Sequence, residues 1–172
     1  MGLINEKMAR PQDQDDISPE SVRSEMRIPP ELQDAYERVV VAGMKVMFSK
    51  ETNKYVLSAI EGQGSNAEKL GGGVAELLIM LFAQSNKTMP PQIIIPAGTE
   101  LVVQAADFVK KAGLMQVTNQ DIGDGIQVMI SLVMKAFGAD PQKLFQKIGQ
   151  FDASQVPQIL NQQQGQQPQQ GV

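Results

Sequence analysis

The chain has no histidine, no cysteine and no tryptophan, and aromatic residues make up only 5% of its 172 residues. Without histidine or cysteine it cannot form a Ser-His-Asp triad, a Cys-His dyad, a zinc site of these ligands or a disulfide, and it cannot ligate haem or an iron-sulfur cluster through them. Only carboxylates, lysine, tyrosine and serine remain for catalysis. We therefore expect a protein that is not an enzyme and that uses no metal and no cofactor.

An excess of positive charge is also missing. Fifteen Lys and Arg side chains stand against 19 Asp and Glu, which gives a net charge of −4 and an isoelectric point near 4.9. Proteins that bind nucleic acid broadly are normally basic, so we expect no specific nucleic-acid binding. The first ten residues contain no apolar stretch of the length that a secretory signal needs, and synthesis in a cytoplasm is the expectation.

The two ends of the chain differ in composition from its middle. Residues 1–28 carry ten charged side chains and few large apolar ones, which predicts a flexible acidic arm. Residues 152–172 are rich in Gln, Gly and Pro and read as a low-complexity tail. The folded part is expected between them, as one helical domain over residues 29–151.

Within that domain the apolar residues follow helical spacing and not the alternation of strands. This pattern predicts an all-α fold, a small bundle of five or six helices. Ser65 with Glu68, and Thr118 with Asp121, have the spacing of capping boxes, and Gly113 suits a helix end. Residues 92–96 are β-branched and proline-bounded and are expected to be extended. The predicted helices cover residues 29–48, 50–60, 67–84, 99–112, 122–137 and 141–148.

Two carboxylate patterns bear on chemistry. In the helix that opens at Pro96 or Thr99, four side chains form one predicted polar stripe: Glu100, Gln104, Asp107 and Lys111. Glu76 is the carboxylate inside a strongly apolar run, where burial would raise its pKa and make it a proton donor. The alternative for Glu76 is a solvated position or a lysine partner, and this alternative is favoured because a lone carboxylate is not an acid-base pair.

Two short patterns have part of the spacing of a ligand-binding loop but lack the other residues or elements that such a loop needs. Gly62, Gly64 and Ala67 have the spacing of a dinucleotide-binding loop, but no clear strand precedes them, and an interhelical turn is the better interpretation. Asp121 and Asp124 could suggest calcium, but a leucine lies where an EF-hand loop needs its bidentate glutamate. Helix capping explains these aspartates better.

The glycine triplet Gly71, Gly72 and Gly73 lies in the first half of a predicted helix. Each glycine inside a helix costs up to about 1 kcal/mol relative to alanine, so the triplet needs a reason. One hypothesis is a hinge or a close approach of two helices. The other is that the helix begins at Val74 and the glycines form a loop.

The most apolar runs, residues 74–83 and 126–137, have ten and twelve residues, well short of the roughly 20 that cross a bilayer. They are expected to be core helices. A sharper hypothesis is that they can exchange packing within the chain for contacts with other copies, and we call the residues that would do so the predicted assembly face. These residues are Val74, Leu77, Leu78, Leu81, Met129, Leu132, Val133 and Phe137.

In composition and architecture the chain resembles the small accessory virion proteins of tailed bacteriophages, most of all the internal or ejection proteins of short-tailed phages. The segments that carry this resemblance are residues 39–44 (VVVAGM), 71–75 (GGGVA), 128–137 and 162–167 (QQQGQQ). They lie within a Met-rich and Gly-rich helical middle between two polar ends. The resemblance covers most of the chain but contains no signature motif, so it transfers no functional residue.

The resemblance implies a virion protein, made in the host cytoplasm and present in several copies near the portal. Its implied partners are copies of itself and other virion proteins, with transient contact to the host envelope during genome delivery. Two other hypotheses remain open, a head or neck component that stays in the particle and a cytoplasmic helical adaptor.

Overall fold

The computed structural model describes residues 17–50 and 59–137. Its helices are α1 (Pro19–Glu25), α2 (Gln33–Phe48), α3 (Asn66–Gln84), α4 (Ile94–Lys111) and α5 (Asn119–Ala136), and residues 59–61 are also helical. Short 3₁₀ turns at Pro30–Leu32 and Pro91–Ile93 lead into α2 and α4. Within these two described ranges there is no strand, and the prediction of a small all-α bundle is confirmed.

Both predicted capping boxes begin helices. The backbone N–H of Glu68 donates to Ser65 Oγ at 3.2 Å, and the N–H of Ser65 donates to Glu68 Oε2 at 2.7 Å. At α5 the Asp121 N–H donates to Thr118 Oγ1 at 3.1 Å, and the Thr118 N–H returns a bond to Asp121 Oδ2 at 2.8 Å. This backbone bond, followed by the bond from the Thr118 hydroxyl, holds the pKa of Asp121 below its ordinary value.

The start of α4 differs from the prediction. Residues 92–96 are not extended, because the 3₁₀ turn at Pro91–Ile93 passes directly into the helix at Ile94. Pro96 is the third residue of α4, where a missing N–H costs nothing because first-turn N–H groups have no partner within the helix. At the other end Gly113 has φ +67°, and the Leu114 N–H bonds to the Val109 carbonyl at 2.9 Å. Gly113 therefore ends α4 as predicted, in a Schellman motif.

Helix α4 contacts each of the other four helices named above, and its inward face is apolar. Helices α3 and α5 make the most extensive contact of any pair in the described part of the chain. Gly71 meets Gly125 near the start of both helices, and Phe82 meets Phe137 edge-on at the end, with ring centroids 5.2 Å apart. The two helices therefore run side by side in the same direction.

The prediction of a flexible arm over residues 1–28 is wrong for residues 17–28. A capping box of Ser18 and Ser21, with Pro19 at the first helical position, begins α1. Four apolar side chains of this segment pack half-buried against the core, and the prediction undercounted them: Ile17, Val22, Met26 and Ile28. We call residues 17–28 the N-terminal clasp.

Several predicted segments lie outside the described residues. They are the first part of the arm (residues 1–16), most of the predicted helix 50–60 (residues 51–58), and everything from residue 138 onward. The last of these includes the predicted helix 141–148 and the tail 152–172.

Candidate functional site

The charged side chain that is most deeply buried in the described ranges belongs to Glu100, with 0% exposure, in the middle of α4. Its predicted place on a solvated polar stripe is wrong. Gln104 and Asp107 are half-buried and Lys111 is exposed, so the stripe holds only toward the end of the helix. Glu100 faces inward because α1 and α2 both lie against this part of α4.

Both carboxylate oxygens of Glu100 are engaged. Arg23 of α1 donates to Oε1 from Nε at 3.1 Å and also from Nη2. Tyr36 of α2 donates its hydroxyl to Oε2, and Met26 Sδ lies 3.6 Å from the same hydroxyl oxygen. One carboxylate thus joins three helices, and we call Arg23, Tyr36 and Glu100 the buried triad.

The environment fixes the protonation of the triad partners. Burial, and then the hydrogen bond to Glu100, raises the pKa of the Tyr36 hydroxyl well above its ordinary value, so it remains a neutral donor at physiological pH. The Glu100 carboxylate also raises the pKa of Arg23. With both oxygens bonded and its side chain fully buried, Glu100 is not accessible to a substrate. The triad is arranged to hold helices together.

The glycine triplet lies inside a continuous helix, so the alternative of a loop before Val74 is wrong. A Cβ on Gly71 would lie 2.2 Å from the Gly125 carbonyl oxygen and 2.8 Å from Val128 Cβ, whereas a Cβ on Gly72 would have no atom within 4 Å. The hypothesis of close helix approach is confirmed at Gly71. Gly73 is intermediate, because its Cβ would meet Ala59 Cβ at 3.1 Å.

The predicted assembly face lies in the interior. All eight of its residues are buried in the core of this chain, because α3 and α5 pack against each other and against α4. Burial agrees with the expectation of core helices, and the hypothesis that these residues exchange their packing for contacts with other copies stays a prediction. Glu76, by contrast, is exposed, which agrees with the favoured alternative of a solvated position.

A second feature is a groove of about 300 Å³ between α3, the end of α2 and residues 59–60. Ala105 and Val109 of α4 also line it, and Lys69 and Glu76 are its charged lining residues. We call it the apolar groove because most of its other lining side chains are aliphatic: Val46, Met47, Ala59, Ile60, Leu70, Val74, Leu77, Ile79, Met80 and Ala83.

No family model matches the chain, and neither a curated protein nor a solved structure matches it. Residues 59–61 are helical, so the segment at Gly62 and Gly64 does not follow a strand as a dinucleotide loop requires. In the ranges that the structure describes, no cluster of three or more acidic side chains could hold a metal ion, and no helix is long and apolar enough to cross a membrane.

Sequence reasoning missed both the buried triad and the apolar groove. A signal for Glu100 was present, because Ala97 and Val103, one turn away on either side, are apolar or small and both are buried. Its partners, Arg23 and Tyr36, lie 77 and 64 positions away, and no local pattern connects them. The groove arises where four separate segments meet, so no single segment indicates it.

Proposed function

We propose that this protein is a non-catalytic structural component of a tailed-bacteriophage particle. In this proposal it is an internal protein that assembles in several copies with itself and with other virion proteins near the portal, and it helps the genome pass through the host envelope. The resemblance of composition and architecture supports the phage context. The observation that carries the assembly role is the apolar groove.

The groove is suited to contact with another protein. Several of its aliphatic side chains are only half-buried, among them Val46, Ile60 and Met80, whereas the deeper lining belongs to the core. Covering the half-buried ones gains roughly 25 cal/mol for each Å² removed from water, so apolar side chains of a neighbour would be stabilised there. Lys69 and Glu76 provide one charge of each sign for orienting such a neighbour. Convergent polar groups of the kind that position a small substrate are not a feature of this lining.

Glu100 is the carboxylate that a catalytic hypothesis would consider first, because it is fully buried. Its contacts in the buried triad support a structural role instead. Glu100 is deeply buried, yet its two oxygens are occupied by Arg23 and Tyr36. A general acid or base must reach the proton that it transfers, and this one is bonded on both sides within the chain.

Quantitative mass spectrometry of purified particles, before and after genome release, tests the proposal. We expect several copies per full particle and a large loss from emptied particles. Retention in emptied particles would favour a head or neck component. Failure to co-purify with any particle would contradict the virion assignment and leave a cytoplasmic helical adaptor.

The groove can be tested with a matched pair of variants. Met80 lines the groove and is half-buried, and Met80→Glu should reduce incorporation into particles while the isolated protein keeps its helical circular dichroism spectrum. Val41→Glu is the control, because Val41 is 49% exposed on α2 and does not line the groove. Equal incorporation of the two variants would show that the groove is not a docking surface.

The head or neck component is the second candidate because the same groove would serve permanent docking equally well. It differs from the first in one outcome only, retention after genome release. The copy-number measurement therefore separates the two without further variants.

A further inference from the structure

The N-terminal clasp is attached to the core differently from the other helices. Helix α1 has seven residues and no buried residue, whereas α2, α3, α4 and α5 each bury five or more. A helix of this length is not stable by itself in water. Its position depends on the ion pair of Arg23 with Glu100 and on the half-buried apolar side chains of the clasp.

The ion pair is asymmetric. The side chain of Arg23 is 61% exposed, so its charge can return to water at low cost when α1 detaches. Glu100 remains on α4, and its side chain is fully buried with the clasp in place. Detachment would uncover a carboxylate and the Tyr36 hydroxyl within an apolar surface, because α1 is one of the helices that lie against this part of α4. Such a surface selects a segment that carries a guanidinium among apolar side chains, because the guanidinium pairs with the carboxylate while the apolar side chains cover the surface again.

The connection from α1 to the core allows the clasp to change direction. Residues 26–29 have no regular secondary structure, and the backbone is extended at Met26 (ψ 123°) and Pro29 (ψ 139°). Pro29 and Pro30 stiffen the end of this connection. Rotation at residues 27 and 28, the last two of the clasp, would move residues 17–26 as a unit without breaking a hydrogen bond inside α2.

We propose that the clasp is exchanged between copies of this chain, so that Arg23 of one copy binds Glu100 of another. The segment that fits the site is residues 17–28, and every copy carries it with the same side chains. Exchange of an identical element is a low-cost route to association, and neighbouring copies raise its effective concentration. The inference rests on the multicopy part of the proposed function, and it names the surface through which copies bind one another.

Absence of native cysteine makes the exchange measurable by cross-linking. Glu20 of α1 and Lys111 of α4 are both exposed, and the Glu20 charge contributes to raising the pKa of Lys111, after the larger effect of Asp107. The test mixes full-length chains that carry Glu20→Cys with isotope-labelled chains that carry Lys111→Cys. The mixture is unfolded and refolded at high concentration, then treated with a short bis-maleimide. Each chain has one cysteine, so a link between positions 20 and 111 can form only between two copies.

We expect heterodimers that contain the 20–111 link, at a yield well above that of a control mixture in which Ser131→Cys replaces Glu20→Cys, because Ser131 is exposed on α5 and does not line the apolar groove. Adding Arg23→Ala to the Glu20→Cys chain should lower the yield about tenfold, which corresponds to the loss of one charged hydrogen-bonded contact. Arg23→Lys, which keeps a cation, should lower it less. Circular dichroism confirms that every variant is folded.

A yield no higher than that of the Ser131→Cys control would overturn the exchange, and so would a yield that Arg23→Ala leaves unchanged. This result is independent of the particle measurement. A protein that is present in particles and lost on genome release, but gives no 20–111 link, would retain the proposed function and lose the clasp exchange.

Discussion

Helices α1 and α3 lie in the same bundle but are held in opposite ways. Helix α3 is buried along most of its length, and at Gly71 its backbone approaches α5 so closely that no side-chain carbon fits between them. Helix α1 buries no residue, and it is held by the ion pair of Arg23 with buried Glu100 and by half-buried apolar side chains of the clasp. The contact of α3 depends on close packing, whereas that of α1 combines one ionic pair with partial apolar burial.

The difference shows how stability is divided in this fold. Apolar packing between α3, α4 and α5 cannot be lost in part, because interiors are close-packed and tolerate few voids. The clasp can be lost alone, because the surface that it covers is small and its arginine is already largely in water. We therefore expect the core to unfold as one unit and the clasp to open independently.

The largest expected effect comes from closing the space at Gly71. Gly71→Ala places a Cβ against the Gly125 carbonyl, so α3 and α5 must separate, and we expect a loss of about 3 kcal/mol in the free energy of unfolding. Gly72→Ala is the matched control, because its Cβ meets nothing within 4 Å, and it should gain about 0.5 to 1 kcal/mol from helix propensity. Urea denaturation measures both. Equal effects at the two positions would show that the close approach is not what the triplet provides.

The next effect concerns the ionic contact. Arg23→Ala leaves Glu100 with Tyr36 as its partner in a buried site, and we expect a loss of about 2 kcal/mol, below the range for fully buried pairs because Arg23 is partly solvated. Glu100→Gln should cost less, because it removes the buried charge and keeps the shape of the side chain. In the double variant the loss should be smaller than the sum of the two single losses. Simple additivity in the urea midpoints would contradict the coupling.

A smaller effect is expected at the start of α5 and should depend on pH. The pKa of Asp121 is lowered in the folded state, so its contribution to stability is present above its ordinary pKa of 3.8 and is lost as the pH falls through the lowered value. Asp121→Asn should cost about 1 kcal/mol at neutral pH. The difference between the wild type and the variant should shrink at pH 2. A difference that is constant across this range would show that the carboxylate charge does not stabilise the cap.

Local sequence signals predicted what local physics determines. The capping boxes at Ser65 and Thr118 and the glycine end of α4 depend on residues within one or two turns, and all three predictions are confirmed. The prediction of an extended segment over residues 92–96 was wrong. The first turn of a helix tolerates proline, and this outweighed the β-branched composition of the segment.

Such local signals did not predict the features that depend on contacts between distant segments. Glu100 has the spacing of a solvated stripe and becomes buried only because Arg23 and Tyr36 arrive from distant segments. The predicted assembly face is buried in this chain, as expected for core helices, but its spacing did not indicate which helices cover it. Hydrophobic periodicity predicts that a face is buried, and it does not say by which surface.

Amide hydrogen exchange of the wild-type protein tests the central claim most directly. In α1 the amides of Val22 and Met26 donate to the carbonyls of Ser18 and Val22, each at 3.1 Å, and Leu78 and Met129 are buried reference positions in α3 and α5. We predict that the α1 amides exchange at least about a hundredfold faster than the reference amides and with a weak dependence on urea, because they open locally. Equal protection and equal urea dependence at all four positions would contradict an independently opening clasp.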